Sequence, residues 1–235
     1  MKENKKSFTI KQILITLLVV LVVIFLIHVV RNMIIIKSLS NKADKIENIN
    51  NYHISFITHS DENLTVIDIW FKDGKYLEKV YMSGYDMEQN NPTDNNLAVN
   101  YYDGKSDYIS TFYRNTNEVI KQNINEDESP KGPVIKLSGM TTVDLYDKDF
   151  LTLLKTSILM KISSEKSFDK DCYVMRSKTE HDNVALYVDK ETGLTIRNYG
   201  ASEFNNFVSY SSLDFKYDLN NVTDEDLNFE KVIEK

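Results

Sequence analysis

LTVIDIWFKDGKYLEKVYM, Leu64 to Met82, reads as a β-hairpin. Its first arm, residues 64–72, is β-branched and aromatic, a composition suited to a pleated, half-buried surface. It ends at Asp73-Gly74, a pair that tolerates the positive φ angles of a tight turn, and residues 76–82 return. The pattern repeats outward. Residues 52–60 alternate around Ile54 and Phe56. Residues 97–102 run into a second Asp-Gly pair, Asp103-Gly104, which residues 107–113 answer. Asn115-Thr-Asn117 then turns into residues 119–124. A later set comprises residues 172–177, 184–188, 194–199 and 204–217, two of them separated by the turn Asp189-Lys-Glu-Thr-Gly193. With 14 Tyr and 11 Phe against only 7 Gly and 3 Pro, the chain favours long strands and economical turns.

Consecutive strands with tight turns make an antiparallel meander. Helical spacing interrupts it twice. Residues 38–49 carry Leu39, Ala43, Ile46 and Ile49, a continuation of the apolar run that precedes them. Residues 149–162 place Leu151, Leu154, Ile158 and Ile162 on one stripe, with Asp149 at the start. Thr223-Asp-Glu-Asp226 resembles a capping box with Asp in place of Glu. The fold expected is α+β: a curved antiparallel sheet of about ten strands, curled into a half-open barrel and capped by helices. The 149–162 helix is expected to lay Leu151, Leu154 and Ile158 against the concave face as a lid.

Before the sheet lies ILITLLVVLVVIFLIHVV, residues 13–30, broken only by Thr16 and His28 and extended by the short run Met33 to Ile36. Eighteen apolar residues at 1.5 Å each suffice for a hydrocarbon core of about 30 Å. No small-residue cleavage pattern follows, and no cysteine follows directly to carry lipid, so an uncleaved single-pass anchor is expected. The boundaries expected are a cytoplasmic tail 1–12, a transmembrane helix 13–36 and an extracytoplasmic domain 38–235. Basic residues number four before the span (Lys2, Lys5, Lys6, Lys11) and four soon after it (Arg31, Lys37, Lys42, Lys45). The short basic tail and the acidic remainder favour N-terminus inside.

The chain has 28 Lys+Arg and 35 Asp+Glu. Residues 1–37 hold six basic and one acidic residue, which leaves 22 basic against 34 acidic, about −12. Such a domain repels nucleic acid and anionic lipid headgroups, so neither is expected at its surface. One cysteine, Cys172, permits no internal disulfide, which fits a Gram-positive bacterial surface better than a eukaryotic secretory route. The sequons at Asn63 and Asn221 read as chance in an asparagine-rich chain.

No catalytic or cofactor constellation emerges. His53 and His59 share a strand face but lie about 20 Å apart by strand rise, and read as exposed strand residues. His28 fits the membrane boundary. The fourth histidine is His181, and Cys172 reads as a small buried side chain. The acidic groups Glu126-Asp-Glu128, Asp169-Lys-Asp171 and Asp224-Glu-Asp226 lack EF-hand spacing and read as solvated loops or a helix start. No metal, cofactor or enzymatic activity is expected.

Several of these motifs, in this order, resemble the LolA-like lipoprotein-carrier superfamily. They are Lys45-Ile-Glu-Asn-Ile-Asn-Asn-Tyr52 leading into a strand, Trp70-Phe-Lys-Asp-Gly-Lys75, Tyr102-Asp-Gly-Lys105, Leu186-Tyr-Val-Asp-Lys-Glu-Thr-Gly-Leu194, and the close Tyr217 to Asp226. The likeness spans roughly residues 39–230. It implies a half-open barrel with an apolar interior that binds lipid, lipoprotein or another hydrophobic ligand. Two departures stand out. The anchor prevents shuttling, and no arginine lies between Ser38 and Tyr113, where the carriers place a lid latch. The chain is also similar to the germination-specific lipoproteins of clostridia, although it lacks their lipid-bearing cysteine. That likeness implies a non-catalytic partner of an envelope enzyme. The partners expected are the membrane, through residues 13–36, and a lipid, an acylated protein or an envelope protein.

Overall fold

Asp73 and Gly74 adopt φ values of 50° and 84°. Two consecutive left-handed residues form the turn whose twist matches paired strands. They join β2 (Asn63–Lys72) to β3 (Lys75–Met82), with Lys72 opposite Lys75. The computed structural model describes residues 3–46, 49–60, 63–82, 85–86, 91–92, 97–124, 148–178, 182–204 and 207–234.

The remaining strands are β1 (Asn51–Ser60), the short β4 (Tyr85–Asp86) and β5 (Asn91–Pro92), β6 (Leu97–Tyr102), β7 (Tyr108–Tyr113), β8 (Glu118–Asn123), β9 (Lys161–Ser167), β10 (Lys170–Lys178), β11 (Asp182–Asp189), β12 (Thr195–Phe204) and β13 (Phe207–Leu219). Eleven form one antiparallel open sheet ordered β8-β7-β6-β3-β2-β1-β13-β12-β11-β10-β9, while β4 and β5 pair with each other. Two meanders thus meet where β1 pairs with β13. This is the expected α+β half-open barrel. The strand that the sequence reading missed is β9, KISSEKS. Ile162, expected as the end of a helix, is its second residue.

Helix α1 (Glu3–Ile46) is continuous for 44 residues, about 66 Å at 1.5 Å each. It is the one helix among the described residues long and apolar enough to cross a membrane. Residues 10–27 are exposed all round. From Val29 onward one face is buried, at Val29, Asn32, Ile36, Leu39, Ser40 and Ala43, spaced three and four apart. Ile35, Ile36 and Leu39 pack on Ile162, Met175, Leu186 and Val188 of β9–β11. Ile46 and Ile49 then reach Tyr52 and Ile54. The helix runs on through residues 38–46, as the helical spacing beyond the apolar run predicts. Of the run Met33 to Ile36, Met33, Ile35 and Ile36 pack on the sheet, while Ile34 is exposed.

Helix α2 (Phe150–Leu159) starts as expected. Asp149 is its N-cap, accepting the Thr152 N–H at 2.9 Å. Its orientation differs from expectation. Leu153 and Ser157 are the buried residues, whereas Leu151 is 74% and Ile158 42% exposed, and Leu154 is half-buried. The helix packs beside α1, and polar anchoring decides which face turns inward. Asn32 Nδ2 lies 3.0 Å from the carbonyls of both Ser157 and Met160, and Arg31 donates to the Ile162 carbonyl at 3.3 Å. The Asn32 bonds supply a donor to carbonyls that the end of α2 leaves open, and the Arg31 bond ties α1 to β9.

On the other sheet face, residues 220–234 with α3 (Phe229–Ile233) cover Leu77, Leu97, Val99 and Phe112 through Val222 and Leu227. The expected capping-box bonds form, with Asp226 Oδ2 accepting the Thr223 N–H at 2.8 Å. They close a single turn, and Asn228 caps the helix that follows.

Candidate functional site

Side chains alternate across a strand, so register assigns the faces. On the face that α1 touches, Tyr52 lies between Phe71 and Leu219, Ile54 between Ile69 and Tyr217, and Phe56 between Ile67 and Phe215. The rows continue through Tyr76 and Val80 of β3 to Tyr102 and Ala98 of β6. This makes an apolar band five strands wide. Tyr52 stacks on Phe71 at 5.0 Å, and Phe215 on Tyr217 at 6.0 Å. Tyr217 donates its hydroxyl to the Thr195 carbonyl at 2.8 Å, and burial pushes its phenol well above the ordinary range. Burial pushes the Tyr52 phenol up to about 12.

Burial along this inner face is uneven. Met175, Leu186 and Val188, beneath α1, are fully buried, whereas Phe56, Ile67, Phe71 and Val80 are only half-buried. A polar row borders the half-buried part. Asn100 donates to Glu78 at 2.8 Å, and Thr111 donates to Asn100 at 2.8 Å. Burial, and then the Glu78 carboxylate, push the Tyr76 phenol upward. The inner face thus places one hydrogen-bonded carboxylate, Glu78, between apolar rows.

The outer face holds a cleft of about 380 Å³ lined by Trp70, Lys79, Tyr81, Arg114, Asp226 and Lys231 among others. His53 stacks on Trp70 at 4.5 Å and meets Asp68 at 3.3 Å, so it is half-buried instead of exposed. Lys79 Nζ sits 4.9 Å from the Trp70 ring centre, and Lys231 pairs with Glu225. The cleft carries both charge signs and is already crossed by internal contacts.

The lid candidates are not brought together on the inner face, since Leu151 and Ile158 are exposed on α2. His59 is exposed. His28 is half-buried, its Nε2 3.1 Å from Asn32 Nδ2. Cys172 is buried, its thiol pushed up by burial and then by Asp189. Asp224 is bound to Lys72 at 3.3 Å, which holds its carboxylate below the usual range. Among the described residues no group of three His, Cys, Asp or Glu could hold a metal ion. Glu126 to Glu128 and His181 lie outside the described residues. Sequence reading missed the Glu78–Asn100–Thr111 row. Its only trace is a polar residue at an inward-alternating position in each of three strands.

No protein-family model and no curated protein matches the chain. Among solved structures it is similar to MucB in complex with MucA(peri), at 11% identity and TM-score 0.37, over 80% of this chain and 58% of that one. The chain thus spans under two thirds of MucB's length. It is similar to an uncharacterized conserved protein from Thermus thermophilus, at 8% identity and TM-score 0.40, over 81% and 91% of the two chains. It is similar also to a LolA superfamily protein from Nitrosomonas europaea, at 12% identity and TM-score 0.29, over 83% and 98%.

Proposed function

We propose that this chain is a membrane-tethered, extracytoplasmic binding domain whose inner sheet face accepts a lipid, an acylated protein or another hydrophobic ligand. The observation that carries this reading is the uneven burial of the inner face: apolar side chains are sealed under α1 and half-buried at Phe56, Ile67, Phe71 and Val80. The basic tail before the span favours N-terminus inside, with the acidic domain outside. Tethering restricts capture to ligands or partners at the membrane.

The test uses the full chain in nanodiscs with a photoactivatable fatty acid. Saturable crosslinks to β1, β2 and β3 peptides are expected, competed by unlabelled lipid and reduced at least fivefold by Ile67→Glu. Crosslinks confined to residues 10–30 would refute the reading. If an envelope hydrolase co-purified as well, a non-catalytic regulatory module would take its place.

A further inference from the structure

Helix α2 presents its apolar side outward. At about 100° per residue, Phe150, Leu151, Leu154 and Ile158 fall within one arc of about 100°. Phe150 is 65%, Leu151 74% and Leu159 64% exposed. A ten-residue helix in water gains by turning such an arc toward the core. Here the buried residues are Leu153 and Ser157, on the side next to the arc, and most of the arc is left open.

The position of α2 along α1 gives the reason. Residues 10–27, exposed all round, span about 27 Å, close to a hydrocarbon core of about 30 Å. The C-terminal end of α2 is pinned to Asn32 through the Ser157 and Met160 carbonyls. Asn32 stands five residues beyond Ile27, or about 7.5 Å along the axis. A core of about 30 Å that begins at residue 10 ends near residue 30, so Asn32 stands about 3 Å beyond it, in the headgroup layer where interfacial helices lie. The exposed apolar surface of α1 continues there at Val30 and Ile34. Charge agrees. Among the described residues around α2, Lys148, Lys155 and Lys161 are exposed against Asp149 alone, and Arg31 and Lys37 are exposed on α1. The domain is acidic overall, yet this patch is basic and complements lipid phosphates. The general repulsion of anionic headgroups expected from net charge therefore does not describe this end of the molecule.

We propose that the exposed apolar face of α2 is seated in the headgroup layer of the membrane that α1 crosses, with Lys148, Lys155 and Lys161 among the phosphates. This rests on the reading of α1 as a membrane span.

The test uses the full chain in vesicles of phosphatidylcholine and phosphatidylglycerol. An environment-sensitive fluorophore is placed at Leu151→Cys or Leu159→Cys. Leu18→Cys reports on the span. Lys105→Cys reports on the far end of α1, because its turn packs on Gly74, whose neighbour Asp73 bonds to Asn50. Buried Cys172 sets the background in the unsubstituted chain. Lipid carrying a shallow nitroxide is expected to quench positions 151 and 159 at least threefold more than position 105. Quenching at either position no greater than at 105 overturns the proposal. If position 18 is still quenched by a deep nitroxide, the anchor stands and only the interfacial helix falls. If position 18 is not quenched, both fall.

Discussion

Gly193 is a point of close approach between α1 and the sheet. Its φ is +77°, and a Cβ there would lie 2.4 Å from the Leu39 carbonyl oxygen. Both the backbone conformation and the space require glycine. Gly193→Ala is expected to lower stability by more than about 1 kcal/mol, read from thermal unfolding. Asp189, in the same turn, is buried and accepts from the Glu191 N–H at 3.0 Å, the Thr192 hydroxyl at 2.8 Å and Lys170 at 3.1 Å. Burial raises its pKa, but these donors outweigh that and hold the carboxyl below its ordinary value. A carboxyl depressed on folding adds stability above its unfolded pKa, about 3.9, and loses it as pH falls through the folded value. Urea midpoints of the wild type should therefore fall on acidification below about pH 4. Asp189→Asn should start lower at pH 7 and show a shallower acid limb. The turn itself was legible from Asp-x-x-x-Gly. That α1 presses on it was not, because no local pattern encodes a contact 150 residues away.

Elements were legible where water is the alternative to the core. Ten strands of the large sheet followed from alternation and turn chemistry. β9 did not, because KISSEKS is an edge strand whose lysines and glutamate blunt unwanted pairing and erase the apolar alternation. α2 was found, but its buried side was misassigned. The rule that the apolar stripe faces inward fails when a helix end must satisfy its carbonyls through a neighbour's amide. Two substitutions separate the faces. Leu153→Asp buries a charge and should unfold the domain, while Leu151→Asp should leave its melting temperature within about 2 °C. Asn32→Leu removes donors from the Ser157 and Met160 carbonyls. It should cost about 1–3 kcal/mol and speed hydrogen exchange in the last turn of α2 before any change in β1 or β2.

At the scale of the molecule, the apolar stretch long enough to cross a membrane and the core-packing stretch belong to one helix. A chain starting at residue 38 lacks Asn32, Ile35 and Ile36, and is expected not to fold; one starting at residue 27 should keep native near-ultraviolet dichroism. The apolar run, its helical continuation and the sheet are plain in the sequence; where along the helix exposed apolar surface gives way to core contact is not, because hydropathy reads both alike. An unbroken helix has a mechanical consequence. A flexible stalk would let the domain swivel freely, whereas an unbroken rod makes span and domain lean together. When a bilayer thins, a span that has become too long tilts to keep its apolar length covered. The stretch from Val29 to Ile46 is about 27 Å long, so a lean of about 10° sweeps its far end by roughly 5 Å. On the proposed reading of α1 as a membrane span, bilayer thickness would set the attitude of the inner sheet face, turning a property of the lipid into an angle.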